Sequence, residues 1–506
     1  MVNKILHFLI DWLPYHPQQP LLFTRPSFWI FFVVVLAVFC LLYKRTFWRN
    51  NWLFLTSIFF YYKSSGLFVS LLVLSIAINF LLGNRIAKSH KLLQKRSWVA
   101  LSVVYNLSWL IYFKYTYFFS GLLNHWFGTH FEVHDWLLLG VNQVWGSHFD
   151  ASMIILPVGI SFYTFQIISY IIDLYRKQVE PIKNIFDFGF YVTFFPQLVA
   201  GPIVRASSFV PQMYTGFRLH TDEFGQGLFL ILNGLIKKII IADYISINFV
   251  DRVFDNPLSY SGFENLLAVY GYSIQIYCDF SGYTDIAIGL ALWMGFRLQI
   301  NFNSPYRAAN ITDFWRRWHI SLSSWLKDYL YIPLGGNRKG KIRTYVNLFL
   351  TMLLGGLWHG ANLRFVIWGA LHGLYLAVHK LWLSLFPKLE ARFRILRMAI
   401  TFHLVTFTWM AFRARSMESV RQMCDQMVHH FKGSFAWEII QAYQLVVSLI
   451  LLAFIVHWLP IKWKDWYRGK FVLLPLWLKI TGTVLVIFML VQFTTAGLQP
   501  FIYFQF

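Results

Sequence analysis

The sequence predicts an all-α, polytopic membrane protein, and three observations carry that prediction. Of its 506 residues, 57% are hydrophobic and only 13% are charged, where a soluble domain carries roughly 25% charged residues. Apolar stretches recur along the whole length, as membrane-crossing helices require. Aromatic residues reach 20%, with 22 tryptophans, part of which belongs in belts at the two membrane interfaces.

The formal net charge of +22 would point a soluble protein toward nucleic acid. In a membrane protein it fits lysine and arginine gathered in cytoplasmic loops, so no nucleic-acid partner is expected. The same excess can attract anionic lipid or a polyanionic donor such as a coenzyme. Cys40, Cys278 and Cys424 are scattered without a CxxC pair, which gives neither a disulfide framework nor a zinc site. Residues 1–20 read as an N-terminal extension of unknown role without the form of a cleaved signal peptide. Residues 21–506 read as one membrane domain.

Helices are expected near residues 28–43, 52–62, 66–82, 98–119, 152–174, 186–199, 227–244 and 265–280. Others fall near 285–294, 345–358, 365–382, 398–412, 443–459 and 471–491. Several are shorter than the roughly 20 residues of a full crossing. Some are therefore broken, tilted or re-entrant, where protein or a water-filled cavity covers the backbone. About 10–13 tilted and re-entrant segments result. Charge orients them. Residues 83–98 carry Arg85, Lys88, Lys91, Lys95 and Arg96 with no acid, and should be cytoplasmic. Residues 120–150 carry Glu132, Asp135 and Asp150 with no lysine or arginine, and should be external. Arg176 and Lys177 return inside.

Residues 307–343 hold eight basic residues against Asp313 and Asp328, and should again be cytoplasmic. Within them, Phe314, Trp315, Trp318, Leu322, Trp325, Leu326 and Tyr329 fall on an arc of about 120° at helical spacing. Arg316, Arg317, Ser324, Lys327 and Asp328 lie elsewhere on the wheel. This predicts one amphipathic helix on the membrane surface, capped by Thr312 or Asn310. His319 sits at its stripe edge, pointing toward the protein–lipid boundary. It is either an interfacial histidine reaching water or a chemical group.

His359 ends the run 345–358 in Gly355-Gly356-Leu357-Trp358-His359-Gly360. The glycines could open room for a ligand beside the imidazole, or simply stop a helix. Those 14 residues rise only about 21 Å, short of the roughly 30 Å hydrocarbon core. His359 should therefore stand within the membrane, with His319 within about 15 Å on the cytoplasmic side and a passage to both faces. His372 and His379 read as packing or interfacial residues. Asp279 and Asp285 lie in apolar surroundings and need partners; they are expected to brace a histidine or an arginine. His125, His130, His134 and His148 stand near Asp135 and Asp150, but their spacing matches no strong ligand pattern, and no metal is expected. The chain has no phosphate loop, no Gly-x-Ser-x-Gly elbow and no HExxH.

Taken in order, several segments resemble the membrane-bound O-acyltransferase family, and within it the bacterial alginate O-acetyltransferase branch. They are Leu156-Pro157-Val158-Gly159-Ile160-Ser161-Phe162, Phe195-Pro196-Gln197-Leu198-Val199-Ala200-Gly201-Pro202-Ile203 and Tyr277-Cys278-Asp279-Phe280-Ser281-Gly282-Tyr283. The two histidine segments and the closing Phe501-Ile502-Tyr503-Phe504-Gln505-Phe506 complete the set. The resemblance implies a ring of tilted helices around a thinned centre with a funnel or tunnel. It implies acyl transfer from a thioester to a hydroxyl, with His359 as the catalytic residue and His319 at a second, more variable polar position.

Chemistry fits those roles. The attacking hydroxyl needs a base, and the oxyanion needs a donor. His359 can take the proton; His319, Asn310 or Trp358 can orient the acyl carbonyl. No serine triad is visible, which favours a ternary complex or a relay. Trp315, Asp279 and Asp285 are supporting candidates. Arg316, Arg317 and Lys327, with Arg338 and Lys339, are candidates for drawing in an anionic donor. The leading expectation is acetyl transfer from cytoplasmic acetyl-CoA, with no bound cofactor, to an extracytoplasmic polysaccharide. The enzyme would sit in the bacterial cytoplasmic membrane, and the resemblance implies an SGNH-type partner. Alternatives are D-alanyl or other acyl transfer from an acyl carrier protein, peptidoglycan O-acetylation and, from another class, a transporter or flippase.

Overall fold

The computed structural model describes residues 13–145, 150–386, 392–494 and 501–502. Residues 1–12 of the expected extension, His148 and the closing residues 503–506 lie outside the described residues. Among those described there is no strand, so the all-α expectation holds. The helices used below are α1 (Pro26–Leu42), α2 (Thr46–Ser65), α3 (Val69–Lys88), α4 (Leu92–Leu110), α5 (Ile160–Tyr175), α6 (Thr221–Leu235) and α7 (Gly262–Trp293). They continue with α8 (Ile311–Arg317), α9 (Ile320–Leu326), α10 (Lys341–His359), α11 (Leu363–Leu385), α12 (Arg394–Arg413), α13 (Gln444–Trp458), α14 (Ile461–Leu473) and α15 (Leu476–Phe493).

Among the described residues, three helical stretches are long and apolar enough to cross a membrane: Thr46–Lys88, Arg394–Arg413 and Leu476–Phe493. A fourth is the pair Gly433–Ala442 and Gln444–Trp458, bent by 94°. The rest are shorter, polar-interrupted or broken, as expected where neighbouring protein covers the backbone.

The expected segments 265–280 and 285–294 prove to be one helix, the 32-residue α7. The small residues between them mark a packing face, not a break. A Cβ on Gly282 would lie 2.8 Å from the Gly234 carbonyl, and one on Gly289 would lie 2.7 Å from the Gly227 carbonyl. Glycines on both helices let the α6 and α7 backbones touch. The contact continues into the π-helical turn Ile236–Asp243. There Lys237 pairs with Asp285 at 2.7 Å, and Lys238 pairs with both Asp279 and Asp243. The two carboxylates thus meet lysines, not the expected histidine or arginine. Because the Lys238 side chain is fully buried, this ion cluster survives only as a satisfied whole. Asp279 also accepts the Ile502 amide at 2.9 Å.

The tryptophans divide between the core and the surface. Trp318, Trp368 and Trp409 are among the largest fully buried side chains and form the core around the two histidine segments. Trp437, Trp463, Trp466 and Trp477 remain exposed, where an interface can take them.

Candidate active site

The site begins at the end of α10. Its last residue is His359, and Gly360 continues in extended backbone. A helix end leaves carbonyls without partners and carries partial negative charge. Here a second element caps it. Tyr115 donates to the Leu357 carbonyl at 2.9 Å, and Lys114 donates to the Trp358 carbonyl at 2.7 Å and the His359 carbonyl at 3.1 Å. Both come from the π-helical turn Ile111–Tyr115 that follows α4. Lys114→Met is expected to orphan these carbonyls at about 1–3 kcal/mol each. A lowered melting temperature together with lost turnover would check it; unchanged values for both would remove Lys114 from the site.

The glycines beside His359 do not open a space. A Cβ on Gly356 would lie 2.9 Å from Gly369 Cα, Gly360 faces the Phe365 ring, and Gly355 faces Leu326. Gly356 and Gly360 draw the end of α10 against α11, and Gly355 draws it against α9. His359 is 4% exposed, with ring centroids of Trp358, Trp368 and Phe412 at 5.0, 5.2 and 5.3 Å.

His319 arrives by a different route from the expected one. The single amphipathic helix over 314–329 is broken at this residue. Helix α8 ends at Arg317, Trp318 is extended, and His319 takes left-handed backbone with φ 43° before α9 begins. A non-glycine residue is held there only when its surroundings determine it. Asn301 does so on one side: its carbonyl accepts the Ile320 amide at 3.0 Å and its Oδ1 accepts the Ser321 amide at 3.1 Å. On the other side the Asn303 amide donates to the Arg317 carbonyl at 3.0 Å. The helical wheel assumed continuous 100° steps, so it placed the ring at the lipid boundary. The kink turns it inward instead, to 0% exposure. It meets Phe280 edge-on at 4.7 Å and Trp358 at 6.1 Å.

The two imidazoles stand 6.4 Å apart, centroid to centroid. Trp358 packs against both. Aromatic rings of Phe280, Trp368 and Phe412 pack around the pair. Trp358 and Trp368 each carry an indole N–H with no hydrogen-bond partner among the described residues. Unmatched buried donors beside two imidazoles are the raw material of an oxyanion site.

Other sequence segments converge here. Phe162 and Phe165 of α5 pack on Trp358 at 5.5 and 5.3 Å, and Phe165 stacks on Trp325 at 3.8 Å. The Ile203 amide donates to Ser321 Oγ at 3.1 Å. Trp315 packs one layer out, against Trp368 and His372. Asn310 spends its Oδ1 as the cap of α8, accepting the Asp313 amide at 2.7 Å. It lines a separate cavity of about 450 Å³ with Tyr375, His379 and Arg397. Asp279 reaches the pair only through its neighbour Phe280, and Asp285 stays with Lys237 and Asn233. Arg316, Lys327, Arg338 and Lys339 are exposed, while Arg317 is tied to Asp313 at 2.8 Å. None of these cations faces the imidazoles.

His372 bonds Thr408 at 3.0 Å and His379 bonds Thr312 at 2.9 Å, the packing role expected of them. In the expected external loop, Asp135 accepts from Tyr112 at 2.7 Å and His134 lies 3.6 Å from Glu132. No group of three metal-ligating side chains is found among the described residues.

An all-helical membrane protein with two buried histidines beside an end-capped helix has the makings of an acyl-transfer enzyme. Comparison with known proteins gives the class. The family model for MBOAT, membrane-bound O-acyltransferase, matches residues 177–420, which hold both histidines. The chain is 37% identical over 511 residues to the probable alginate O-acetylase AlgI of Pseudomonas putida, covering 94% of this chain and 98% of that one. It is 39% identical over 443 residues to the peptidoglycan O-acetyltransferase of Helicobacter pylori, covering 81% and 80%. To the teichoic acid D-alanyltransferase of Bacillus subtilis it is 30% identical over 282 residues, covering 51% and 69%. The chain belongs to the membrane-bound O-acyltransferase family. It is a membrane acyltransferase, which sets aside the transporter reading.

Proposed function

We propose that this enzyme takes acetyl from cytoplasmic acetyl-CoA and passes it through the bacterial cytoplasmic membrane for O-acetylation of an extracytoplasmic polysaccharide. The observation that carries the chemistry is the buried imidazole pair, 6.4 Å apart, beside unmatched indole donors. In the reaction an acceptor hydroxyl attacks the thioester carbonyl while neutral His359 takes its proton. His319 and the Trp358 N–H face the developing oxyanion. The intermediate then collapses, the C–S bond breaks, and the thiolate leaves with the proton that His359 returns. An SGNH-type partner protein completes delivery to the polymer.

The P. putida and H. pylori relatives are both named for O-acetyl transfer, which favours acetyl, with polysaccharide and peptidoglycan as the acceptors to compare. The B. subtilis relative is named for D-alanyl transfer, and a carrier-borne D-alanyl thioester is the second reading. Inverted membrane vesicles given acetyl-labelled acetyl-CoA decide between them. Release of free coenzyme with label in an alkali-labile ester is expected. Consumption of a D-alanyl carrier thioester, with acetyl-CoA untouched, would replace the acetyl reading.

A further inference from the structure

Away from the histidine pair, one group of cations has no carboxylate to match it among the described residues. It centres on His457, near the end of α13 and 2% exposed. The Tyr306 amide donates to its Nε2 at 3.1 Å. That bond places the proton of a neutral ring on Nδ1. Nδ1 has no hydrogen-bond partner among the described residues. Three cations, Lys464, Lys237 and Arg307, stand close enough to act on the ring through their charge.

Lys237 is matched by Asp285 at 2.7 Å. The other two are not matched. Arg307 donates to the Leu459 carbonyl at 2.8 Å, and Lys464 donates to the His457 carbonyl at 2.6 Å and to Ser304 Oγ at 2.8 Å. Those acceptors are uncharged. Among the described residues neither cation pairs with a carboxylate, since nearby Asp313 and Asp465 serve Arg317 and Arg468. Burial and the charges of Lys237 and Arg307 push the Lys464 ammonium down to about 8. Cations crowded in this way are relieved by an anion.

We propose that Arg307, Lys464 and the Nδ1–H of His457 form a binding site for a phosphate group, occupied by the phosphate-bearing end of the thioester donor. The identity of that occupant rests on the donor reading above; the phosphate site does not. A guanidinium, an ammonium and an imidazole N–H offer donors in several directions, which suits a phosphate and its three acceptor oxygens. The supporting segments are basic: α14 carries Lys462, Lys464, Arg468 and Lys470 against Asp465. Such a bias places them on the cytoplasmic side, where a soluble donor arrives. The site also abuts the route to the chemistry. Tyr306, between Ser304 and Arg307, packs on Trp318 at 6.2 Å, and Trp318 immediately precedes His319. The exposed Arg316 and Lys327 offer no comparable enclosure.

The test uses the full-length protein in neutral detergent and in phosphatidylcholine nanodiscs, with inorganic pyrophosphate as the probe. Binding is expected, with Lys464→Gln and Arg307→Gln each weakening it about ten- to hundredfold, as loss of a charge-assisted hydrogen bond does. Lys464→Arg should retain it. Arg307→Gln keeps a donor for the Leu459 carbonyl, so it guards against a folding defect in Lys464→Gln. Equal pyrophosphate affinity in the wild type and both glutamine variants, or none in the wild type, overturns the site. Displacement of pyrophosphate by coenzyme A supports the donor as occupant. Displacement by phosphatidylglycerol in the nanodisc, but not by coenzyme A, overturns that occupant in favour of a lipid headgroup. If acetyl-CoA fails as a donor while pyrophosphate binding stays dependent on Lys464, the donor reading falls and the phosphate site stands.

Discussion

His359→Ala is expected to lower acyl transfer by about 10⁴, the upper end of what a positioned general base supplies, while the protein still inserts and folds. Two features separate the loss of chemistry from a loss of structure. The bonds that cap α10 go to main-chain carbonyls of Leu357, Trp358 and His359, so an alanine keeps all three. The close backbone approach of α10 to α11, Gly356 against Gly369, does not depend on the imidazole, which adds only its ring contact with Trp368. The variant should therefore purify with a melting temperature lowered only by the hole left among Trp358, Trp368 and Phe412. Thioester consumption, measured directly with labelled donor, is the readout. Turnover within about tenfold of wild type would remove His359 from the role of base, because a base contributes at least 10².

How much of this site could be read from the sequence depends on the range of the information each feature needs. His359 could be named as a candidate because its setting is local: an apolar run ending in Trp-His-Gly, which the structure extends back to Lys341 as a 19-residue helix. The all-helical fold was legible because hydropathy sums over many residues. The kink at His319 was not, because a helical wheel assumes the helix continues. Nothing within 311–326 announces a left-handed residue. The bonds that hold it come from Asn301 and Asn303, across the preceding loop. The lysine partners of Asp279 and Asp285 lie about 40–50 residues away in the chain, and only packing brings them together. A signal for them existed: Lys237 and Lys238 are charges inside an apolar stretch, as Asp279 and Asp285 are, and buried charges of opposite sign seek each other. Lys114 carried the same signal, a lone cation in the run 98–119, but its partner is a helix end, which no residue type marks. The glycines misled in the opposite direction. Read as room for a ligand, they turned out to be filled by a neighbouring helix and a phenylalanine ring.

The kink itself yields the second large effect. At φ 43° an alanine at position 319 would carry both the loss of the imidazole and the strain of left-handed backbone, whereas glycine adopts that conformation freely. Comparing His319→Gly with His319→Ala therefore separates the side chain's chemistry from its backbone role. If the imidazole takes part in the transition state, both variants should lose about 10²–10³ in rate, the cost of one removed oxyanion donor. On backbone grounds the glycine variant should be no less stable than the alanine one. Asparagine is a third probe, since it tolerates left-handed backbone and keeps an N–H donor; His319→Asn should recover part of the lost rate. Donor affinity should stay close to wild type in all three, because the unmatched cations lie at Arg307 and Lys464, away from this ring. The contrary pattern is just as definite. Full turnover in His319→Gly, with a deficit only in His319→Ala, would mean that residue 319 builds the turn carrying Trp318 and Ser321 to their places, and that His359 works without a second imidazole.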